Sequence, residues 1–395
     1  MTSTERPPDV TEVVVVCAGT TWNGSRGSAH HIADHLRERC PVLWVDPPVS
    51  HVTLARNRTF HQLRERRLRV VAPDLAVLSP IVLPAMRRPI INGTTERLVR
   101  WQIRRALRSL GARSTVRIVA SDLMLFEDRP GELQVLYAMD DLAAGAELIG
   151  VPVERIRRNE ARQGASCDLV VAVSPALRDK WAEHADSVFI PNGCDAERFV
   201  GVDDLVAADD VVLPRPIAGL VGYLSDRIDL DLLEAVADRG ISILLVGKRA
   251  PTAGPGRLDE FLARPNVQWV GSRPFEEMGP YLRAMDVGLT PYADSLFNRA
   301  SFPLKTLEYL AAGRGAVVTD LPAHRWLDTD LIDITSSPAA FADAVSRRLV
   351  DAHRPTDVAD RQRFAMAHSW AVRADQFAEA VGLERSPVTA GGWRP

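Results

Sequence analysis

Residues 301–320 read SFPLKTLEYLAAGRGAVVTD, a short helical pattern that leads directly into a buried strand pattern. Pro303 suits the first turn of a helix, because the N–H group that proline lacks would have no helical partner there. Gly313 ends the helical pattern, and the β-branched run Ala316–Thr319 follows. The stretch therefore predicts a helix followed at once by a strand, which is the repeating unit of an α/β domain.

Short apolar strand patterns alternate with helical patterns along nearly the whole chain. The predicted strands are Val13–Cys17, Val42–Val45, Val116–Ala120, Val135–Tyr137, Leu169–Val173, Val188–Ile190, Ile217–Val221, Ile243–Val246, Val267–Val270, Val287–Thr290 and Ala316–Thr319. Such continuous apolar runs are typical of parallel strands that helices cover on both faces. The amphipathic segments Val153–Ser166 and Ile228–Arg239 predict two of these helices. The predicted fold class is α/β, built from doubly wound parallel sheets.

The length of 395 residues favours two domains, because a single hydrophobic core rarely serves a chain of this size. The segment 199–216 is rich in aspartate and proline and interrupts the alternation, which predicts a surface linker. We therefore expect an N-terminal domain at 1–198 and a second domain at 217–359. In the remaining segment, 360–395, a helix from Asp360 to Gly382 is expected to pack back on the N-terminal domain.

The composition points to a cytoplasmic protein without a nucleic-acid partner. The net charge of −3 and the pI near 6.3 give no electrostatic reason to expect nucleic acid. The four cysteines have neither CxxC nor metal-ligand spacing, so we expect no disulfide framework and no zinc site. The apolar run Val13–Ala18 is too short to span a bilayer, and Met1–Asp9 does not read as a signal peptide.

A basic segment leaves one partner question open. Between Arg56 and Arg69 the chain carries six arginines. They are a peripheral contact with anionic lipid headgroups at the inner face of the membrane, a binding site for an anionic acceptor, or a solvated basic face. The sequence leaves the oligomeric state open as well.

Lys305 and Glu308 are the two residues of the quoted stretch that can carry chemistry. At the carboxyl end of a parallel sheet, the helix N-terminus offers free N–H groups to a diphosphate, and Lys305 would add a positive charge. At roughly 1.5 Å per residue, Glu308 would lie about one sugar's width from the phosphates. There it could accept hydrogen bonds from both hydroxyls of a ribose. The alternative interpretation is an exposed i,i+3 ion pair.

Two features of the first half also follow predicted strands. The loop Gly19–Gly27, which contains Trp22, lacks the GxGxxG fingerprint of a dinucleotide site, and this argues against a dehydrogenase. Asp140 and Asp141 come directly after a strand, where either could orient an acceptor hydroxyl or accept its proton. Alternatively, Asp141 caps the helix that follows.

The order of the motifs resembles the GT-B glycosyltransferases of the retaining family 4 type, the glycosyl transferases group 1. The similar segments are GLVGYLSDR (219–227), LLVGK (244–248), NVQWVGSRP (266–274), YLRAMDVGLTP (281–291), the quoted stretch and HSWAVR (368–373). A Tyr-x-x-Asp-Asp segment, here Tyr137, Asp140 and Asp141, resembles one branch of the family. The resemblance implies two Rossmann-like domains with a cleft between them and a C-terminal helix that crosses back.

The resemblance implies a donor site in the C-terminal domain. Arg227 and Lys305 would be the catalytic cations that flank the pyrophosphate, with Lys248 as a third candidate. The implied donor-binding residues are Gly222, Lys248, Arg273, Pro274, Ser301, Phe302, Pro303, Leu304 and Glu308.

Each implied donor residue has a role in the resembling family. Gly222 would let the backbone approach the phosphates closely. Arg273 and Pro274 would hold the base, and Ser301 to Leu304 would bind phosphate and sugar hydroxyls through their amides. Glu308 would bind the ribose. The family often has a second glutamate at the position of Ala300, so the donor sugar stays open.

On the acceptor side the resemblance implies Trp22, Arg26 and His30, the last two in an Arg-x-x-x-His pattern. His30 and His31 are adjacent on a predicted helix and cannot both face the same way. The catalytic set is completed by Asp140 and Asp141. The family generally works without a bound metal, so no metal site is expected.

The sequence thus predicts a retaining glycosyltransferase that moves a sugar from a nucleotide-diphosphate sugar to an acceptor hydroxyl. The donor is a co-substrate, with UDP, GDP or TDP undetermined, and no other cofactor is expected. The setting would be cell-envelope glycan or natural-product glycoside synthesis. Two alternatives are a sugar-nucleotide 2-epimerase, which shares the fold, and a non-catalytic nucleotide-sugar-binding scaffold, which Ala300 motivates.

Overall fold

The computed structural model describes residues 10–56, 67–84, 89–250, 256–350 and 352–384, which divide into two compact units. The first unit draws on Met1–Val173, Leu177–Ile190 and Arg373–Pro395, and the second on Ser174–Ala176 and Pro191–Val372. Apart from its two ends, the basic segment Arg56–Arg69 lies outside the described residues. Within the described ranges, none of the helices combines the length and the apolar character that a bilayer crossing requires.

The first unit is built on an eight-stranded sheet of order β10-β9-β8-β7-β1-β2-β5-β4, with β3 and β6 paired separately. The strands are β1 Thr11–Ala18, β2 Val42–Val45, β3 Val49–Ser50, β4 Leu68–Ala72, β5 Leu75–Leu78, β6 Ile81–Val82, β7 Ala112–Ala120, β8 Leu133–Ala138, β9 Leu169–Ala172 and β10 Asp186–Phe189. The helices are α1 Ser28–Leu36, α2 His51–Arg56, α3 Pro89–Ser109, α4 Ala146–Ile149, α5 Val153–Gly164 and α6 Pro175–Ala182. Only β4 runs antiparallel to its neighbour in this sheet.

The second unit is built on a six-stranded, wholly parallel sheet of order β13-β12-β11-β14-β15-β16. The strands are β11 Ile217–Val221, β12 Ser242–Val246, β13 Val267–Trp269, β14 Val287–Thr290, β15 Gly315–Thr319 and β16 Ile332–Thr335. The helices are α7 Ala196–Phe199, α8 Leu230–Ala237, α9 Arg257–Leu262, α10 Met278–Ala284, α11 Leu296–Ala300, α12 Leu304–Ala311, α13 Pro322–Leu327, α14 Pro338–Val350 and α15 Pro355–Ala367. The last helix, α16 Trp370–Ala380, begins in this unit and belongs to the first unit from Arg373 onward. This order reverses direction between β11 and β14, and ligands of doubly wound sheets bind at such a point.

Every strand that the sequence predicts is present with adjusted ends, and the two predicted helices correspond to α5 and α8. The centre of each sheet is apolar throughout; in β1 every residue from Val13 to Ala18 is buried. The prediction missed β16 and the strands β3 to β6. Strands β4 and β16 lie at sheet edges, where partial burial suffices and no continuous apolar run is needed, and β3 and β6 are only two residues long. The run Leu75–Leu78 of β5 is apolar and buried, and the prediction overlooked it.

The predicted linker 199–216 is corrected, because its residues pack as part of the second unit. Asp203 accepts a hydrogen bond at 2.7 Å from Arg314, whose side chain is completely buried. Asp210 accepts one at 2.6 Å from Arg273. These aspartates are therefore partners of arginines within the unit, and the chain passes between units at Ile190–Pro191 instead.

The single helix predicted from Asp360 to Gly382 is also corrected, since α15 and α16 are separate helices. Between them, the backbone pairs with Cys194: its N–H donates to the His368 carbonyl at 3.1 Å, and the Trp370 N–H donates to its carbonyl at 3.2 Å. A Cβ atom at Gly193 would lie 2.7 Å from the Trp370 nitrogen, so only glycine allows this approach. This backbone pairing with Cys194 therefore interrupts the predicted helix between α15 and α16.

Candidate functional site

Two glycines shape the sheet edge at the point where the second unit reverses direction. Gly222 follows β11 and Gly247 follows β12, and a Cβ atom at Gly247 would lie 1.7 Å from the Gly222 carbonyl oxygen. Gly247 must therefore be glycine for the two strand ends to meet. A Cβ atom at Gly222 would meet nothing within 4 Å, so the space in front of this backbone is open. The edge thus offers bare main chain to a ligand.

Arg227 lies just beyond this edge and is held by neutral groups. Its Nε donates to Oδ1 of Asn298 at 2.8 Å, and its Nη2 donates to Oγ of Ser301 at 3.2 Å. The guanidinium carbon lies 5.1 Å from the ring centroid of Tyr292 and 4.8 Å from that of Phe297. These contacts orient the side chain without neutralising its charge.

In this respect Arg227 differs from most arginines of the second unit. Arg215, Arg257, Arg264, Arg299, Arg314 and Arg325 each form an ion pair with an aspartate or glutamate. Among the described residues, no carboxylate lies within the 4.0 Å of an ion pair from the Arg227 guanidinium. Its positive charge is therefore available to an anionic ligand.

Asn298, which the sequence analysis missed, organises the loop around Arg227. Its side chain is completely buried, and its Nδ2 donates to the carbonyls of Arg227 at 3.0 Å and Ala293 at 2.8 Å. The Ala293 N–H also donates to the Arg227 carbonyl at 2.9 Å. The sequence carries no signal for this role, since the burial of Asn298, which obliges its amide to find partners, is a property of the fold.

Lys305 and Glu308 form the pair that the sequence left open, at 2.7 Å between Nζ and Oε2. The pair is not the exposed one of the alternative interpretation, because Glu308 is only 7% exposed. Lys305 Nζ also lies 5.8 Å from the Phe275 ring centroid. The pair therefore holds the Glu308 carboxylate, one turn into α12, against the Lys305 ammonium.

The predicted amide contacts of Ser301 to Leu304 need correction at two positions. The Ser301 N–H already donates to the Asn298 carbonyl at 3.2 Å, and Pro303 has no N–H to donate. Pro303 also precedes α12 as its N-cap residue and does not lie in the first turn. Phe302 and Leu304 remain as the amides of this segment that can bind an anion.

The remaining predicted donor residues lie along the neighbouring strand ends. Arg273 donates from Nε to the Tyr281 hydroxyl at 2.5 Å and from Nη2 to Asp210 at 2.6 Å. Its guanidinium thus anchors the segment around Asp210, and the expectation that the loop of Arg273 and Pro274 holds the base stays a prediction. Pro274 and Lys248 are exposed.

Beside Tyr292 the carboxyl edge of the second unit opens into a cavity of about 620 Å³. Two ion pairs line it: Arg299 donates to Asp294 at 2.7 Å, and Arg325 donates to Asp320 at 2.6 Å. The hydrogen bond from each arginine lowers the pKa of its partner aspartate. The adjacent Ala300 is buried, and its carbonyl accepts a hydrogen bond from the Ser174 hydroxyl at 2.6 Å.

In the first unit His30 is completely buried, which corrects the expectation that it faces an acceptor. The Gly27 N–H donates to its Nδ1 at 3.2 Å, so Nε2 carries the proton and donates to the Thr21 carbonyl at 3.1 Å. Burial lowers the pKa of His30, which favours this neutral form. The imidazole therefore holds the loop after β1 in place.

Trp22 and Arg26 complete that loop. The Trp22 ring lies 5.6 Å from the His30 ring, and the Trp22 backbone N–H donates to Oδ1 of Asp46 at 2.8 Å. Arg26 forms an ion pair with Asp34 and lies over the Trp22 ring, 5.9 Å from its centroid. Both side chains are engaged within the first unit.

The two aspartates after β8 have different surroundings. Asp141 Oδ1 accepts hydrogen bonds from the Ala144 N–H at 3.0 Å and from Lys180 Nζ at 2.9 Å. These bonds favour the alternative in which Asp141 stabilises the turn before α4, and its assignment to catalysis stays a prediction. Asp140 is exposed at the end of the strand, so it is the better placed of the two to meet a substrate.

Sequence comparison places part of the second unit in a known family. Residues 220–351 match the family model described as Glycosyl transferases group 1. The putative teichuronic acid biosynthesis glycosyltransferase TuaH of Bacillus subtilis (strain 168) is 36% identical over 109 residues. That match covers 27% of this chain and spans only 27% of TuaH.

Solved structures resemble the chain over almost its whole length. Sucrose-phosphate synthase from Thermosynechococcus elongatus superimposes with a TM-score of 0.71 at 14% identity, covering 94% of this chain and 98% of that one. HepE of Anabaena in complex with UDP-glucose superimposes with a TM-score of 0.64 at 13% identity, covering 94% of this chain and 99% of that one. At such identities the likeness concerns the fold. The chain therefore has the GT-B fold, and its residues 220–351 match the model of the glycosyl transferases group 1.

Proposed function

We propose that this protein is a glycosyltransferase that moves a sugar from a nucleoside-diphosphate sugar to an acceptor hydroxyl. The observation that carries the proposal is Arg227, a cation oriented by Asn298 and Ser301 at the sheet edge where doubly wound folds bind ligands. Lys305 supplies a second positive charge at the start of α12. A diphosphate between the two would find the charge and the bare backbone of Gly222 together.

The proposed reaction retains the configuration at the anomeric carbon. The bond from that carbon to the diphosphate oxygen breaks while a bond to the acceptor oxygen forms on the same face. The acceptor proton passes to the leaving diphosphate. Arg227 and Lys305 stabilise the charge that develops on the diphosphate, and in this proposal they take the place of a metal ion.

We propose where the donor nucleotide binds and which nucleotide to test first. Glu308, held near Lys305 at the start of α12, accepts hydrogen bonds from the ribose hydroxyls. HepE was solved with UDP-glucose, and a trehalose-6-phosphate protein of similar fold from E. coli was solved with UDP-2-fluoro glucose, so UDP is the first nucleotide to test. In this proposal the donor sugar lies against the Asp294–Arg299 and Asp320–Arg325 pairs.

The proposed role is synthesis of a cell-envelope glycan, since TuaH is named for teichuronic acid biosynthesis. We propose a cytoplasmic location for the reaction, with the inner face of the membrane as a place of peripheral contact.

Calorimetric titration with UDP, GDP, ADP and TDP tests the donor site, with Arg227→Ala as the variant. We expect selective binding of one diphosphate that weakens at least tenfold in the variant. Chromatography of donor and products, with and without a panel of acceptors, then tests transfer. Failure of all four nucleotides to bind contradicts the donor site, binding without turnover favours a scaffold, and a changed donor sugar without acceptor identifies an epimerase.

A further inference from the structure

The sheet of the second unit reverses its strand order between β11 and β14, and these two strands pair over a short distance. β11 pairs with β12 along its whole length, Ile217–Val221. Its pairing with β14 joins Ala218 to Val287 and Gly219 to Gly288 and ends there, two residues before either strand does. The two strand ends therefore part at the edge where doubly wound sheets bind ligands.

A tyrosine hydroxyl lies where the next hydrogen bond between the two strands would form. Continued by one residue, the same register would place Leu220 opposite Leu289 and join the Val221 N–H to the Leu289 carbonyl. Instead, the Val221 N–H donates to the hydroxyl oxygen of Tyr309 at 2.7 Å, and that hydroxyl donates to the Leu289 carbonyl at 3.3 Å. One side chain thus bridges the parting strands and satisfies a backbone donor and a backbone acceptor.

The ring of Tyr309 packs on β14 at a glycine. A Cβ atom at Gly288 would lie 2.2 Å from the nearest ring carbons, so glycine at this position lets the ring lie on the strand. Tyr309 is completely buried, and burial raises the pKa of its hydroxyl, which keeps the proton that it donates to the Leu289 carbonyl. Because the ring is closely packed and the hydroxyl is bonded on both sides, the side chain holds one position.

The bridge connects two parts of the proposed donor site. Tyr309 belongs to α12, the helix that carries Lys305 and Glu308. On β11 the bridge ends at Val221, directly before Gly222, whose backbone faces open space. The bare backbone and the two charged side chains are therefore linked through one hydroxyl group.

We propose that Tyr309 is a positioning residue of the donor site, whose hydroxyl sets the place of the Gly222 backbone relative to Lys305 and Glu308. Tyr309 itself touches no substrate, since its side chain is completely buried. The inference rests on the proposed function, because it concerns the same site.

Tyr309→Phe tests the proposal, because it keeps the ring and removes the hydroxyl. The Val221 N–H and the Leu289 carbonyl then lose their partner. Because buried polar groups without partners cost free energy, the strand ends rearrange to reach water, and this displaces the Gly222 backbone relative to α12. We expect calorimetric titration of the full chain with UDP, below the melting temperature of every variant, to show binding weakened about three- to tenfold.

Ser242→Ala is the matched control for a general loss of stability. Its buried hydroxyl donates to the Pro214 carbonyl at 2.7 Å, at the amino end of the same sheet. Both Ser242→Ala and Tyr309→Phe should melt below the wild type, since each removes a buried hydrogen bond. Ser242→Ala should bind UDP as the wild type does, and an equal loss of UDP affinity in both variants would contradict the positioning role.

A double-mutant cycle separates positioning from a purely structural role. If the Tyr309 hydroxyl acts by placing α12, it matters less once α12 has lost the charge that it places. Tyr309→Phe should therefore cost at least threefold less UDP affinity in a Lys305→Ala background than in the wild type. Equal losses in the two backgrounds would show that the hydroxyl does not act through Lys305, and would overturn the proposal.

Residue-resolved amide exchange tests the bridge without a ligand. In the wild type the Val221 N–H should be protected like the Gly222 N–H, which donates to the Val246 carbonyl at 2.9 Å. In Tyr309→Phe the Val221 N–H should exchange at least tenfold faster, because it reaches water. A Val221 N–H that exchanges in the wild type at the rate of an exposed amide would refute the bridge.

The titrations also separate this inference from the proposed function. Equal UDP affinity in the wild type and Tyr309→Phe would overturn the inference alone and leave the proposed function standing. A wild type that binds none of the four nucleoside diphosphates would contradict the proposed function, and the positioning role would fail with it even if the Val221 N–H is protected.

Discussion

Arg227 and Asn298 hold each other by reciprocal hydrogen bonds, although 71 residues separate them in the chain. The arginine Nε donates to the asparagine Oδ1 at 2.8 Å, and the asparagine Nδ2 donates to the Arg227 carbonyl at 3.0 Å. One buried amide thus orients both the main chain and the side chain of the proposed catalytic cation. Because the amide is neutral, it orients the Arg227 guanidinium without neutralising its positive charge.

Replacing that amide by a carboxylate should disable the site, because the carboxylate cannot donate to the Arg227 and Ala293 carbonyls and its charge pairs with the Arg227 guanidinium. In Asn298→Asp, the new carboxylate pairs with Arg227 and competes with the diphosphate. We expect diphosphate affinity, measured by calorimetry, to fall at least tenfold, or about 1.4 kcal/mol. Arg257→Ala is the control, since that exposed arginine already pairs with Glu234 and lies outside the proposed site. Unchanged affinity in Asn298→Asp would show that the charge of Arg227 is not used.

Substitutions of Lys305 and of Glu308 should weaken the binding of different ligands. Because Glu308 is proposed to hold the ribose, Glu308→Gln should weaken UDP by about three- to tenfold and leave inorganic pyrophosphate unaffected. Lys305→Ala should weaken both ligands, since its charge acts on the phosphates. Competition titrations with the two ligands measure this split. If Glu308→Gln and Lys305→Ala lost the same affinity for pyrophosphate, Glu308 would act by positioning Lys305 instead.

A substitution of Asp140 should lower activity, whereas one of Asp141 should lower stability. Asp141→Asn loses part of its bond to Lys180, so it should lower the free energy of unfolding by about 1 kcal/mol and leave donor binding unchanged. Asp140→Asn should lower the transfer rate at least tenfold, with melting temperature and donor affinity as in the wild type. The prediction fails if Asp140→Asn transfers sugar at the wild-type rate.

His324 should make the stability of the second unit depend on pH. Its ring is buried between the Thr319 carbonyl, 2.7 Å from Nδ1, and the Thr306 hydroxyl, 3.2 Å from Nε2, and burial lowers its pKa to about 4. The unfolded chain binds a proton below about pH 6.5 and the folded chain does not. Stability is therefore full above pH 6.5 and falls by about 3 kcal/mol as the pH drops toward 4.

Thermal melts from pH 7.5 to pH 4 measure this effect, with His324→Asn as the comparison. The asparagine keeps an N–H donor near the Thr319 carbonyl but does not titrate, so its melting temperature should fall less over that range. Parallel curves for the two proteins would contradict the assignment. Asp286, whose pKa is lowered to about 2, adds acid sensitivity only below pH 4 and does not obscure the window.

Parts of the candidate site were predictable because they depend on short stretches of chain. The strand β11, the following glycine and the start of α12 follow from apolar runs, Gly222 and Pro303, all of which are local signals. The partners of Arg227 were not predictable, because no local pattern links it to Asn298. The same holds for His30, which reads like a substrate residue in sequence and is buried beside Trp44.

The sequence by itself determined the two parallel sheets and the place of the donor segment, because continuous apolar runs such as Val13–Ala18 must be buried on both faces wherever they lie. The tertiary structure alone decided the roles of the polar residues. Asp203 binds Arg314, and the Gln163 side-chain amide donates to the Ser121 carbonyl. The partner of a polar side chain depends on which distant segments packing brings next to it, and that is a property of the whole fold.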